Sequence, residues 1–210
     1  MPPVPTPILR FTHVDNLDSI IRRGGLHAPS HVPDDGLPYR FCHDADVHGA
    51  RAAVDVEVGP RGTIHDYVPF YFGYLSPMML QLKTGQVAGY DEGQGPLVYL
   101  VSSAQAVQSA GLGFVFSDGH GLVTFTQWFD DLSRLDAVDW TVVNQRYWTD
   151  NIDDMDRKRK KQAEFLVHQC CPWALIQEIV VIDSTMQQRV ETIQAAFPAA
   201  QRRVARIDRT

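Results

Sequence analysis

The residues able to do chemistry in this chain are histidines placed in turns, one carboxylate among apolar neighbours, and an arginine between small side chains. His13 closes a short apolar segment and opens the turn His13-Val14-Asp15. Strand-end loops are where ligand-binding groups often sit, although a histidine there also serves simply as a turn residue. His43, His48, His65 and His120 stand among aspartates, but their spacing matches no HExxH or CxxC pattern, so no metal is expected. Glu164 follows the basic run Arg157 to Lys161 and precedes Phe165, Leu166 and Val167. A carboxylate at the head of a buried segment must be paired, bound to a ligand, or turned to solvent. Sequence alone favours an ion pair with a nearby lysine. Arg51, in Gly49-Ala50-Arg51-Ala52-Ala53, reads either as a solvated helix position or as an anion clamp on a mobile loop. No GxxxxGK[ST], GxGxxG or GxSxG pattern is present, which weakens the P-loop, Rossmann and α/β-hydrolase readings.

The elements that must position these groups are short. Ile8 to Thr12 reads as a strand, and Asn16 to Arg23 as a helix stopped by Gly24-Gly25. Residues 27–62 carry prolines, histidines and aspartates with little periodicity, the signature of a functional or mobile loop. Further strands are expected at Asp66–Phe72, with Pro69 marking an edge or bulge, and at Pro77–Lys83, Leu97–Ser102, Gly113–Ser117, Ile176–Ile182 and Val204–Ile207. Helices are expected at Gln105–Ala110, Phe125–Leu135, Asp139–Arg146 and Thr185–Phe197. Scattered short strands and helices indicate an α+β domain around an antiparallel or mixed sheet.

The 210 residues, 44% of them hydrophobic, are enough for one domain with a real core. The formal charge of −6 argues at first against a nucleic-acid partner. That average hides a polarity: residues 1–127 sum to −5, residues 128–156 to −6, and residues 157–210 to +5. Three cysteines, two of them adjacent (Cys170 and Cys171), make a poor disulfide framework and suggest a reducing, cytoplasmic setting. Met1 to Pro7 lacks the pattern of a signal peptide, and no apolar run is long enough to span a membrane.

Several strings, in one order along the chain, resemble the DarT family of toxins from DarT–DarG toxin–antitoxin systems. They are FTHVDNLDSIIRRGGL at 11–26, HDYVPFYF at 65–72, SPM at 76–78, GPLVYLVSSAQAV at 95–107, GFVFSDGHG at 113–121 and KQAEFLV at 161–167. The resemblance implies one ADP-ribosyltransferase domain over 1–210, of diverged fold, with a split central sheet flanked by helices and cradling NAD+. It implies transfer of ADP-ribose from NAD+ to thymine in single-stranded DNA, with release of nicotinamide and a block to replication. A macrodomain antitoxin, DarG, is the implied partner. The family's catalytic glutamate falls on Glu164 and its functional arginine on Arg51. Residues 27–62 correspond to an NAD-binding loop and 118–164 to the ADP-ribosylating turn-turn loop. His13, Val14, Asp15 and Gly24 correspond to the nicotinamide and ribose end of the NAD site, with Arg51 also contributing.

On the same reading His120, Lys158 and Lys160 contact DNA, the basic clusters follow its backbone, and the acidic stretch faces away. Trp128, Phe129, Tyr147 and Trp148 either stack on bases or pack the core. Relatives tend to end in aromatic residues, whereas this chain stops at Arg209-Thr210, so closing residues are expected beyond it. The alternatives are transfer to guanine, RNA or protein, or a non-catalytic nucleic-acid-binding domain using the basic C-terminal third.

Overall fold

A computed structural model describes residues 1–207; Arg209 and Thr210, the closing residues weighed above, lie outside the described residues. In chain order the strands are β1 (Pro7–His13), β2 (Gly25–His27), β3 (Tyr67–Tyr71), β4 (Leu97–Ser103), β5 (Phe114–Ser117), β6 (Trp128–Phe129), β7 (Glu164–His168), β8 (Cys170–Pro172), β9 (Glu178–Val181) and β10 (Arg203–Arg206). The helices are α1 (Asn16–Arg22), α2 (Ala45–Arg51), α3 (Pro77–Lys83), α4 (Ala104–Ser109), α5 (Trp140–Asn144), α6 (Arg157–Lys160) and α7 (Ser184–Ala195).

Eight strands form one mixed sheet in the order β10-β9-β4-β1-β3-β7-β5-β6, and β2 pairs with β8 beside it. Only β10 and β9 run parallel. The sheet is split. β1 follows β4 along its whole length, from Pro7↔Ser103 to His13↔Leu97, but meets β3 only at Leu9↔Tyr71. Beyond that pair the two halves diverge and leave a cleft between them. Pro69 fits this geometry: its flank faces the opening, where a missing N–H breaks no ladder bond.

Local chemistry explains most elements. α1 buries Leu17, Ile20 and Ile21, carries an Asp18–Arg22 pair one turn apart, and ends where Gly24 adopts φ +74°. α7 starts at Asp183, whose side chain accepts from the Met186 N–H at 2.9 Å. Phe70, Phe116 and Phe165, all fully buried, anchor the core beneath β3, β5 and β7.

Two elements differ from expectation. Pro77–Lys83 is a helix, not a strand: Ser76 caps it by accepting from the Met79 N–H, Pro77 fits the first turn, and Met79 and Leu82 bury one face. Phe125–Leu135 is not helical. Its centre adds β6 to β5, where Phe129 stacks on Phe116 at 5.2 Å, and a 3₁₀ turn over Leu132–Ala137 follows. Tertiary pairing overrides the helical spacing there. The irregular segment 27–62 does contain one α-helix, α2, started by Asp44 accepting from the N–H groups of Asp46 and Val47.

Candidate functional site

A cleft of about 820 Å³ opens at the split and is lined from both halves of the sheet and from α2. Glu164 heads β7, in register with Tyr71 of β3, and its side chain is 2% exposed. Its backbone N–H donates to Ser117 Oγ at 3.2 Å, while Ser117 donates in turn to the Gly119 carbonyl. The carboxylate is therefore fixed by strand pairing and by the start of the loop that follows β5.

Arg51 ends α2 and reaches the same point. Its Nη1 and Nη2 donate to Glu164 Oε1 and Oε2 at 2.8 and 2.7 Å, a two-pronged charge-assisted pair. The ion pair favoured for Glu164 exists, but its partner is this distant arginine and not a lysine of the adjacent run. Arg51 accordingly sits on a helix and faces inward, with its side chain only 12% exposed. Burial works to lower its pKa, yet the charge and hydrogen bonds of Glu164 outweigh burial and hold the guanidinium above its ordinary value.

His120 also lines the cleft, on the loop after β5. Its N–H donates to the Arg159 carbonyl and its own carbonyl accepts from Thr126 Oγ1 at 2.8 Å. Burial lowers its pKa, so the ring is neutral near pH 7. Lys158 reaches the cleft rim and is exposed.

Sequence reasoning singled out His43, His48 and His65 but not the wall they build. His43, His48 and His65 stack in succession at 4.1 and 4.4 Å between ring centres, and His65 Nε2 donates to the His48 carbonyl at 2.8 Å. Burial pushes His43 down to about 4 and lowers His48 as well. These rings face one another, and among the described residues no group of three His, Cys, Asp or Glu is placed to hold a metal ion. The density of histidines at 43–65 was the available signal, but stacking between rings separated in sequence has no motif.

The other singled-out residues do not line this cleft, although Thr12, next to His13, does. His13 is buried; its Nδ1 accepts from the Asp15 N–H at 3.1 Å, and Nε2 stands 3.7 Å from a Glu92 oxygen without a hydrogen-bond partner. Val14 is buried and donates its N–H to the Pro96 carbonyl. Asp15 pairs with Arg40 and Arg189 at the surface. Gly24 does not line the cleft, but its neighbours Arg23 and Gly25 do.

The basic run is largely consumed internally. Lys160 pairs with Asp154 at 2.9 Å and lies 3.7 Å from Asp139, and Arg159 grips Asp118 and Asp156. Buried Lys161 donates to the Val143 and Gln145 carbonyls. The acidic stretch thus does not simply face away; it neutralises the basic residues that follow it. Trp128 packs with Val56 and Ile64, Phe129 packs on Phe116, and Tyr147 is exposed; none of these lines the cleft, nor does Trp148.

Comparison with known proteins agrees with this architecture. A family model described as "ssDNA thymidine ADP-ribosyltransferase, DarT" matches residues 9–207. A DNA ADP-ribosyl transferase of Thermus aquaticus is 45% identical over 196 residues, covering 93% of this chain and 84% of the relative. The solved structure of Thermus sp. 2.9 DarT in complex with ADP-ribosylated ssDNA superposes with a TM-score of 0.91 at 41% identity, covering 98% of this chain and 95% of the other. The same protein in complex with NAD+ gives a TM-score of 0.86 at 40% identity, covering 98% and 97%. A split mixed sheet, a carboxylate paired across its cleft with an arginine, and a family match over nearly the whole described length lead to one assignment: the chain belongs to the DarT family of ssDNA thymidine ADP-ribosyltransferases.

Proposed function

We propose that this cleft binds NAD+ and single-stranded DNA together and joins ADP-ribose to thymine. The observation that carries the reading is the Arg51–Glu164 pair on the floor of the split sheet, in a chain of this family. Breaking the bond between nicotinamide and ribose sends the bonding electrons to nicotinamide, which leaves neutral, and develops positive charge on the ribose. Glu164, nearly dry and fixed by β7, stabilises that charge as it forms. The thymine ring nitrogen gives up its proton to water, and the electron pair freed from the N–H bond forms the new bond to the ribose C1′.

A guanidinium held above its ordinary pKa is a poor proton acceptor. Arg51 therefore acts as a cation that positions Glu164 and stabilises the developing anionic base. His120, neutral near pH 7, contacts the thymine. His13, Val14, Asp15 and Gly24, which adjoin the cleft-lining Thr12, Arg23 and Gly25, support the nicotinamide and ribose end of the site, with residues 27–62 closing over the dinucleotide and 118–164 presenting the DNA. The target base must be unpaired to enter, which accounts for a single-stranded substrate.

The family's toxin–antitoxin arrangement gives a macrodomain antitoxin, DarG, as partner, and replicating DNA in the cytoplasm as the place of action. Among the described residues no helix is long and apolar enough to cross a membrane. Incubation with NAD+ and separate DNA, RNA and protein pools, followed by mass spectrometry, tests the substrate. Adducts on thymine in DNA are the expected result; adducts confined to guanine, RNA or protein, or DNA binding without nicotinamide release, would overturn it.

A further inference from the structure

Four arginines line the cleft, and three are matched by carboxylates: Arg23 by Asp35, Arg51 by Glu164, and Arg159 by Asp156 and Asp118. Arg10 is different. It stands on β1 one residue past the Leu9↔Tyr71 pair, where the sheet divides. Its Nη1 reaches across the split and donates to the Pro69 carbonyl of β3 at 3.0 Å. Its Nε is fully buried with no hydrogen-bond partner, and among the described residues no carboxylate lies within ion-pair distance of it.

The remaining acids of the cleft are committed elsewhere. Asp44 caps α2, and Asp150 accepts from the Lys158 N–H at 2.8 Å. A guanidinium stays charged at any ordinary pH, and a buried donor left unmatched is costly. The cleft thus carries one half-buried cation with no carboxylate partner among the described residues and with forked N–H donors, a geometry that fits the oxygens of a phosphate.

We propose that Arg10 is a phosphate-binding residue of this cleft, taking either the diphosphate of NAD+ or the phosphodiester beside the target base. The proposal rests on the cleft being the substrate site. Calorimetry with ADP-ribose and with a thymine-containing oligonucleotide, on the wild type, Arg10→Gln and Arg10→Lys, tests it. The Gln variant is expected to lose about ten- to a hundredfold in affinity for one probe. Loss confined to ADP-ribose assigns Arg10 to the dinucleotide; loss confined to the oligonucleotide assigns it to the DNA backbone.

Arg10→Lys keeps the charge and stem and so decides the matter even if the Gln variant does not fold. It is expected to lose at least about threefold for the same probe, because an ammonium cannot reproduce the fork. Unchanged affinity for both probes in the folded variants overturns the proposal and leaves Arg10 a structural wedge. Wild-type protein that bound neither probe would instead sink the assignment of the cleft, and this proposal with it.

Discussion

Arg51 and Glu164 lie 113 positions apart and close on each other through two parallel hydrogen bonds of 2.8 and 2.7 Å. The pair bridges the two supports of the cleft, since one residue ends a helix of the segment 27–62 and the other begins a strand of the sheet. Substrate that reaches Glu164 must therefore share it with Arg51 or displace the arginine onto another anion.

Removing the carboxylate should separate binding from chemistry. Glu164→Gln is expected to lower the transfer rate at least about a hundredfold, the scale of losing one electrostatic stabiliser of the transition state. NAD+ affinity should change little. A near-normal rate of thymine modification by this variant would remove Glu164 from the catalytic role.

The role of Arg51 is decided by pH. Arg51→Ala is expected to lose activity by about two orders of magnitude, and raising pH should not restore it, since the lost contribution is a fixed positive charge. Recovery of the rate with increasing pH would instead identify Arg51 as the acceptor of the thymine proton.

The basic run is expected to divide. Lys158, exposed at the rim, should contribute to DNA binding, so Lys158→Glu should weaken oligonucleotide affinity and reduce the salt slope by about 0.7. Lys160 shares its charge with Asp154 and Asp139, so Lys160→Glu should shift the slope less. Equal slopes for wild type and both variants would exclude this run from the backbone contact.

Acid should loosen the cleft wall before it protonates most carboxylates. His43 titrates near 4 in the folded chain, because burial and its histidine and arginine neighbours disfavour the charged ring, and near 6.5 unfolded. Between those values the unfolded chain binds more protons, so the stability contributed by His43 is present above about pH 6.5 and lost as pH falls toward 4. Thermal midpoints measured from pH 7.5 to 5 should fall, and should fall less in His43→Gln; parallel curves for the two proteins would refute this.

Gly25 should be intolerant of any side chain. A Cβ there would lie 2.4 Å from the Cys171 carbonyl oxygen and 2.9 Å from Pro172 Cα, both backbone atoms of β8. Gly25→Ala is expected to destabilise by about 3 kcal/mol, the scale of a severe clash, read as a lower denaturant midpoint; an unchanged midpoint would show that β2 and β8 can separate freely.

Much of this molecule is written locally. Strand β4 shows as the apolar run Leu97–Ser102, helix α1 as three apolar residues stopped by glycine, and β9 as Ile176–Ile182, each within a few residues of its place. The order of the strings shared with DarT proteins was enough to name the family before any coordinate. Where local signals misled, a neighbour distant in sequence had intervened. Phe129 stacks on Phe116 and draws its segment into the sheet, and the charges of 128–156 pair with the basic run instead of avoiding it.

The sequence by itself determined the fold class, the family and the identity of the groups that carry charge. Only the tertiary structure decided their partners. A carboxylate buried at the head of a strand must find a cation, but the spacing of residues says nothing of which cation arrives, because pairing across 113 positions depends on where the sheet divides and where α2 comes to rest. The same division leaves Arg10 without a carboxylate among the described residues and gives Pro69 an open flank. Local propensity acts over a few residues and is legible in order along the chain. Charge compensation acts through space, and in this protein the split of the sheet sets that space.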